Sequence, residues 1–137
     1  MKINPYLLFA GQCEEAFHFY EKLIGGKVEF IMTYANSPGA DQVPPEWRAK
    51  VMHARMTTPG GVLMGSDPPP GRQQKAQGFS VSLSVDDPAE AERIYQGLAE
   101  GAITVTMPIQ ETFWAKRFGM LTDRFGIPWM INCEKEN

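Results

Sequence analysis

Residues 79–85, Phe79-Ser80-Val81-Ser82-Leu83-Ser84-Val85, alternate apolar and polar side chains. That two-residue period predicts a strand with two unlike faces. Helical spacing follows it. Ala91, Ile94, Tyr95, Leu98 and Ala99 fall on one stripe, behind a start signal in which Asp87 caps, Pro88 takes the first helical position and Glu90 stands three residues after the cap. The same stripe occurs 75 residues earlier as Ala16, Phe19, Tyr20, Leu23 and Ile24, with Gln12 and Glu15 as a weaker capping box and Gly25-Gly26 as the stop. Under this shift Glu15/Glu90, Ala16/Ala91, Tyr20/Tyr95, Leu23/Leu98 and Gly26/Gly101 are identities, which predicts a duplicated unit.

Extended segments follow each helix. In the first half, residues 3–10 read as the leading strand and 28–34 as the next. Residues 51–57 and 62–66 read as a hairpin across Pro59-Gly60-Gly61. In the second half, 104–107 read as a short strand and 118–122 with 128–133 as the matching hairpin. Each half is therefore β-α-β-β-β. The fold class is α+β, two βαβββ modules, 1–67 and 78–137, joined by a linker over 68–77 that contains Pro68-Pro69-Pro70-Gly71.

The densest aromatic stretch is Gln110-Glu111-Thr112-Phe113-Trp114-Ala115-Lys116-Arg117-Phe118-Gly119, followed by Asp123-Arg124-Phe125-Gly126-Ile127-Pro128-Trp129. Two readings stand: a C-terminal core strand pair with turns at Phe118-Gly119 and Phe125-Gly126, or a pocket wall with Glu111 beside the ring of Trp114. The shift of 75 also assigns strand faces. It puts Tyr6, Leu8 and Ala10 with Val81, Leu83 and Val85 under the helices, and Pro5, Leu7 and Phe9 opposite Ser80, Ser82 and Ser84 on the other face. Three serines facing a dry core would each need a partner, so that face reads either as plain solvent surface or as an open, partly wet cleft. One apolar and one hydroxylated wall suit a small organic ligand with a polar end.

Composition narrows the partners. The chain has 137 residues, 43% hydrophobic and 21% charged, with a net charge of -3. Those values fit one ordinary globular domain. Basic residues are not clustered, which argues against nucleic acid. No apolar run reaches the ~20 residues a membrane helix needs. Cys13 and Cys133 lack metal-ligand spacing and read as reduced thiols. The N-terminus lacks a signal-peptide core, so a cytoplasmic location is expected.

The pairing of βαβββ units resembles the vicinal oxygen chelate superfamily of glyoxalase I, bleomycin-resistance proteins and extradiol dioxygenases. Within it the chain is similar to the PhnB-like group, also catalogued under a 3-demethylubiquinone 3-methyltransferase label. The residues that carry this are Pro5-Tyr6-Leu7-Leu8-Phe9, Ala16-Phe17-His18-Phe19-Tyr20, Val51-Met52-His53-Ala54, Gly65-Ser66-Asp67, Gln110 through Ala115, and Trp129-Met130-Ile131-Asn132. The resemblance implies a ligand cleft, frequently a homodimer, and a metal held by His, Glu or Gln at the start of each first strand and on each last strand. In this sequence those positions carry Pro5, Ser80, Met64 and Met130, and their neighbours Asn4, Phe79, Leu63 and Trp129 are no better. Thioethers, hydroxyls and proline are poor partners for hard or borderline ions, so no metal and no other cofactor is expected. Methyl transfer finds no support: Gly11 stands alone after the first strand, and the chain is short for a methyl-donor sheet plus a substrate site.

For chemistry, His53 is the only histidine on an expected strand, and reads either as a general base or as a hydrogen-bonded structural residue. His18 reads as surface. Glu111 is either a buried acid or base, or a surface ion-pair partner of Lys116 or Arg117. Asp67 and Asp123 read as turn and cap residues. Catalytic candidates are thus Glu111 and His53; ligand-binding candidates are Leu7, Phe9, Ser82, Trp114 and Trp129. The leading expectation is a metal-free protein that binds an aromatic or amphipathic small molecule. The alternatives are a glyoxalase- or dioxygenase-type enzyme with other metal ligands, an acid/base enzyme using Glu111 and His53, and a bare structural dimer.

Overall fold

The computed structural model describes residues 1–136. Elements run in the order β1 (Tyr6–Leu8), α1 (Cys13–Ile24), β2 (Lys27–Thr33), β3 (Val51–Thr58), β4 (Gly61–Ser66), β5 (Val81–Ser84), α2 (Pro88–Ala99), β6 (Thr104–Gln110), β7 (Ala115–Thr122) and β8 (Pro128–Glu134), with two short 3-10 turns in the loop after β2. The chain divides into two compact units, Met1–Gln74 and a second that begins at Lys75. Each holds a four-stranded mixed sheet, ordered β1-β4-β3-β2 in the first and β5-β8-β7-β6 in the second. In both, the first strand pairs parallel with the fourth and the rest are antiparallel. The βαβββ expectation holds for each half.

Local signals explain the elements. Thr58 and Gly61 pair directly, leaving Pro59-Gly60 as a two-residue turn, and the Thr58 hydroxyl accepts from the amides of Gly60 and Gly61. Asp87 caps α2 by accepting from Ala89 N at 3.1 Å. Gln12 makes no side-chain cap to α1. Asp67, at the end of β4, does so from a distance: its Oδ1 accepts from Gly11 N at 2.8 Å and Cys13 N at 3.1 Å, and its Oδ2 from Val51 N at 3.0 Å.

Each helix covers one face of its own sheet. Cys13, Ala16, Phe17 and Tyr20 are buried from α1, and Ala91, Ile94, Tyr95 and Leu98 from α2. Phe17 takes the place expected of Phe19 because Gly65 leaves room for its ring; a Cβ at Gly65 would lie 3.0 Å from it. Tyr95 lies as close over Gly119, where a Cβ would sit 2.8 Å from the ring. This corrects the expected turn at Phe118-Gly119, which lies within β7. The turn at Phe125-Gly126 is present, with Gly126 at φ 91°.

The face assignment of β1 is reversed. Leu7 and Phe9 are buried, whereas Tyr6 and Leu8 are each 43% exposed. Hydrogen bonding gives the reason. Phe9 N donates to Ser66 O as Val85 N donates to Asn132 O, and Tyr6 pairs with Met64 as Ser82 pairs with Met130. The leading strands are therefore equivalent at a displacement of 76 residues. The helices keep 75, since Ala16 N donates to Gln12 O and Ala91 N to Asp87 O. The strand-to-helix connection is one residue shorter in the second unit, and a one-residue slip moves every strand side chain to the other face.

Candidate functional site

With the register corrected, the face of the first sheet turned away from α1 can be built row by row. Tyr6 lies beside Met64, Met64 beside Arg55, and Arg55 beside Phe30. A second row brings His53 beside Met32. Tyr6, Leu8, Phe30 and Met32 are all partly exposed large apolar side chains, so this face is a wide apolar surface rather than scattered single residues. At its centre Tyr6 Oη and His53 Nδ1 share a hydrogen bond of 3.1 Å, and the two rings lie nearly parallel with centroids 5.7 Å apart. The Phe30 ring closes on the other side of the imidazole at 5.3 Å. With the phenol donating, Nδ1 is the acceptor and Nε2 carries the ring proton, available to a further partner. Arg55 adds a cation with no ion pair among the described residues.

The equivalent face of the second sheet is more polar. Ser82, Met130, Met120 and Met107 form one row; Ser84, Asn132, Phe118 and Gln110 form the next. Ser82 and Ser84 are exposed, as the serine alternation predicted. Asn132 Oδ1 is shielded from solvent and has no hydrogen-bond partner among the described residues. Trp114 meets Phe118 edge-on at 5.3 Å, and Phe113, 89% exposed, meets Trp114 at 4.7 Å. The aromatic stretch therefore divides: Phe113 and Trp114 lie in a partly exposed bend between β6 and β7, Phe118 lies in β7, Phe125 in the β7–β8 turn and Trp129 in β8.

Other sequence-selected residues fall elsewhere. Leu7 and Phe9 lie in the core of the first unit, and Trp129 in that of the second, where its Nε1 donates to buried Asp123 Oδ2 at 2.8 Å. Asp123 Oδ1 also accepts from the amides of Phe125 and Ile127, which fixes the β7–β8 turn. Glu111 is not buried: its side chain is 65% exposed and pairs with Lys135 at 3.2 Å, while Lys116 pairs with Glu136 and Arg117 with Glu92. His18 is exposed, near Glu21. Cys13 and Cys133 are free and buried; burial first, then the Asp67 and Glu14 carboxylates, push the Cys13 thiol well above its ordinary range. Sequence reasoning missed Tyr6, Leu8, Phe30, Met32, Arg55 and Met64. The signal available was the alternation in 51–58, which sets His53 and Arg55 on one face.

The family model for the Glyoxalase/Bleomycin resistance protein/Dioxygenase superfamily matches residues 2–131, and the chain belongs to that superfamily. It is 33% identical to Protein YjdN of Escherichia coli, over 99% of this chain and 97% of that protein. The crystal structure of protein PA1353 from Pseudomonas aeruginosa superposes with a TM-score of 0.89 at 46% identity, covering 99% of each chain. A PhnB protein from Bacillus cereus, which carries a 3-demethylubiquinone-9 3-methyltransferase label, superposes with a TM-score of 0.81 at 26% identity over 97% of this chain and 99% of its own.

The superfamily's metal can be tested against the donors present. The equivalent open-face positions are Tyr6 with Ser82 and Met64 with Met130, flanked by Pro5 and Ser80. A phenol, aliphatic hydroxyls and two thioethers do not fit a hard or borderline divalent ion. Among the described residues no three His, Cys, Asp or Glu side chains group as a metal site.

Proposed function

We propose that the chain is a PhnB-like small-molecule-binding protein that holds an aromatic or amphipathic ligand on the open face of its first sheet without the superfamily's metal. The observation that carries this is the apolar surface of Tyr6, Leu8, Phe30 and Met32 around one polar pair, Tyr6 and His53. An apolar field with a few fixed polar groups is the chemistry of a ligand site. His53 Nε2 and the Arg55 guanidinium supply the orienting contacts.

A second reading is acid/base catalysis at His53. The Tyr6 hydrogen bond favours it, because it holds the imidazole in the fixed orientation a general acid or base requires. Glu111 lacks the burial this reading gave it.

Titration with 1-anilinonaphthalene-8-sulfonate, followed by its fluorescence, separates the two. Under the binding reading, Tyr6→Ala and Phe30→Ala each weaken the probe about tenfold, whereas His53→Gln changes it less. Calorimetric titration with Zn²⁺, Ni²⁺, Mn²⁺ and Fe²⁺ gives no saturable heat. Unchanged affinity in both aromatic variants overturns the binding site, and a stoichiometric metal overturns its metal-free character.

A further inference from the structure

The long loop after β2 and the segment after β4 border an open cavity of about 500 Å³, wholly within the first unit. That lies inside the usual range of small-molecule sites, roughly 300–1,000 Å³. Pro38, Pro44, Pro69, Pro70, Val43, Met52 and the Tyr34 ring line it, and Ser37 and Gln42 add polar groups to the same walls. Arg72 is the only charged residue lining it. We propose that this cavity is a site for a small aromatic carboxylate, with the ring against the proline walls and the carboxylate on the Arg72 guanidinium.

Three observations carry the assignment. Arg72 has no ion-pair partner among the described residues, so its guanidinium is available for the two-pronged geometry it forms with carboxylates. None of the described residues lining the cavity is acidic, and the nearby Asp67 carboxylate is engaged by the amides of Gly11, Cys13 and Val51. The walls are also fixed in advance. Tyr34 Oη and Trp47 Nε1 both donate to Asp67 O, at 2.8 and 3.0 Å, tying the loop to the end of β4. Ser37 Oγ donates to Tyr34 O at 2.8 Å, and Arg48 Nε to Ala40 O at 3.1 Å. Proline fixes its own φ, so four prolines remove much of the ordering cost a loop site would otherwise impose.

The test uses 1-naphthoate and its neutral analogue 1-naphthamide, with binding mapped by ¹H–¹⁵N shifts of the full chain. Naphthoate is expected to move residues 34–44 and 69–72 and to bind about tenfold more tightly than the amide. Arg72→Gln removes that preference and Arg72→Lys restores part of it. Arg72 is exposed, so thermal melting of both variants stays close to that of the parent. Equal binding of acid and amide, unchanged naphthoate affinity in Arg72→Gln, or shifts confined to Tyr6, Phe30 and His53 would each overturn the assignment. The last outcome would leave the open-face site intact, so the two sites fail separately.

Discussion

Asp67 holds together three parts of the first unit through one side chain. It sits 1% exposed at the end of β4, and its carboxylate caps α1 and receives the first amide of β3. A buried carboxylate is costly unless charge-assisted hydrogen bonds replace its water. Here three backbone donors do so, and its own carbonyl receives Tyr34 and Trp47. Asp67→Asn keeps the volume but turns one acceptor into a donor, so either Val51 N or the Gly11 and Cys13 amides lose their partner. The expected cost is about 3 kcal/mol, read as a lower urea midpoint with unchanged m-value. The sequence marked Asp67 as a turn and cap residue, and the chemistry was right. What it did not contain was the distance: Gln12 stands where a local cap should be, and the true cap arrives from 54 residues on. Propensity rules see neighbours in sequence, and a cap supplied across a sheet is invisible to them.

At the scale of elements, both helices and both hairpins were legible because their signals are periodic and local. The failures have one physical source each. The leading strand was assigned its faces by carrying the helix register back across a connection that differs by one residue between the halves. A strand has no tolerance for that error, since its period is two. Phe118-Gly119 read as a turn because glycine commonly marks one. The glycine is there instead to let Tyr95 lie on the sheet, as Gly65 does for Phe17. Gly119→Ala would put a methyl 2.8 Å from the Tyr95 ring and 3.2 Å from Ile109 Cα. Neither neighbour can yield without moving α2 or β6, so a loss of about 2 kcal/mol is expected from chemical denaturation. The cost should fall in a Tyr95→Leu background, giving a coupling of about 1 kcal/mol in a double-mutant cycle. An additive cycle would show that the ring is not what excludes the methyl.

For the whole molecule, family and architecture were readable from the repeat and its motifs, whereas assembly was not. The family resemblance implied a homodimer, but the structure blunts the β2 and β6 edges along which two sheets could join. β2 carries two register shifts and charged Lys27 and Glu29; β6 carries two register shifts and Pro108, which cannot donate to a ladder. A continuous sheet joined through β2 or β6 is therefore disfavoured. What remains available near β6 is side-chain surface, with Ile103 and Val105 large, apolar and exposed. A homodimer, if the chain forms one, is accordingly expected to bury these residues rather than extend a sheet. Light scattering after size-exclusion chromatography should give about twice 15.3 kDa for the parent chain. Ile103→Asp with Val105→Asp should return it to one copy at low micromolar concentration, because two buried carboxylates at a symmetric contact repel and go unpaired. A parent that runs as a monomer would remove the dimer, and a variant that stays dimeric with the parent's affinity would move the interface to another face.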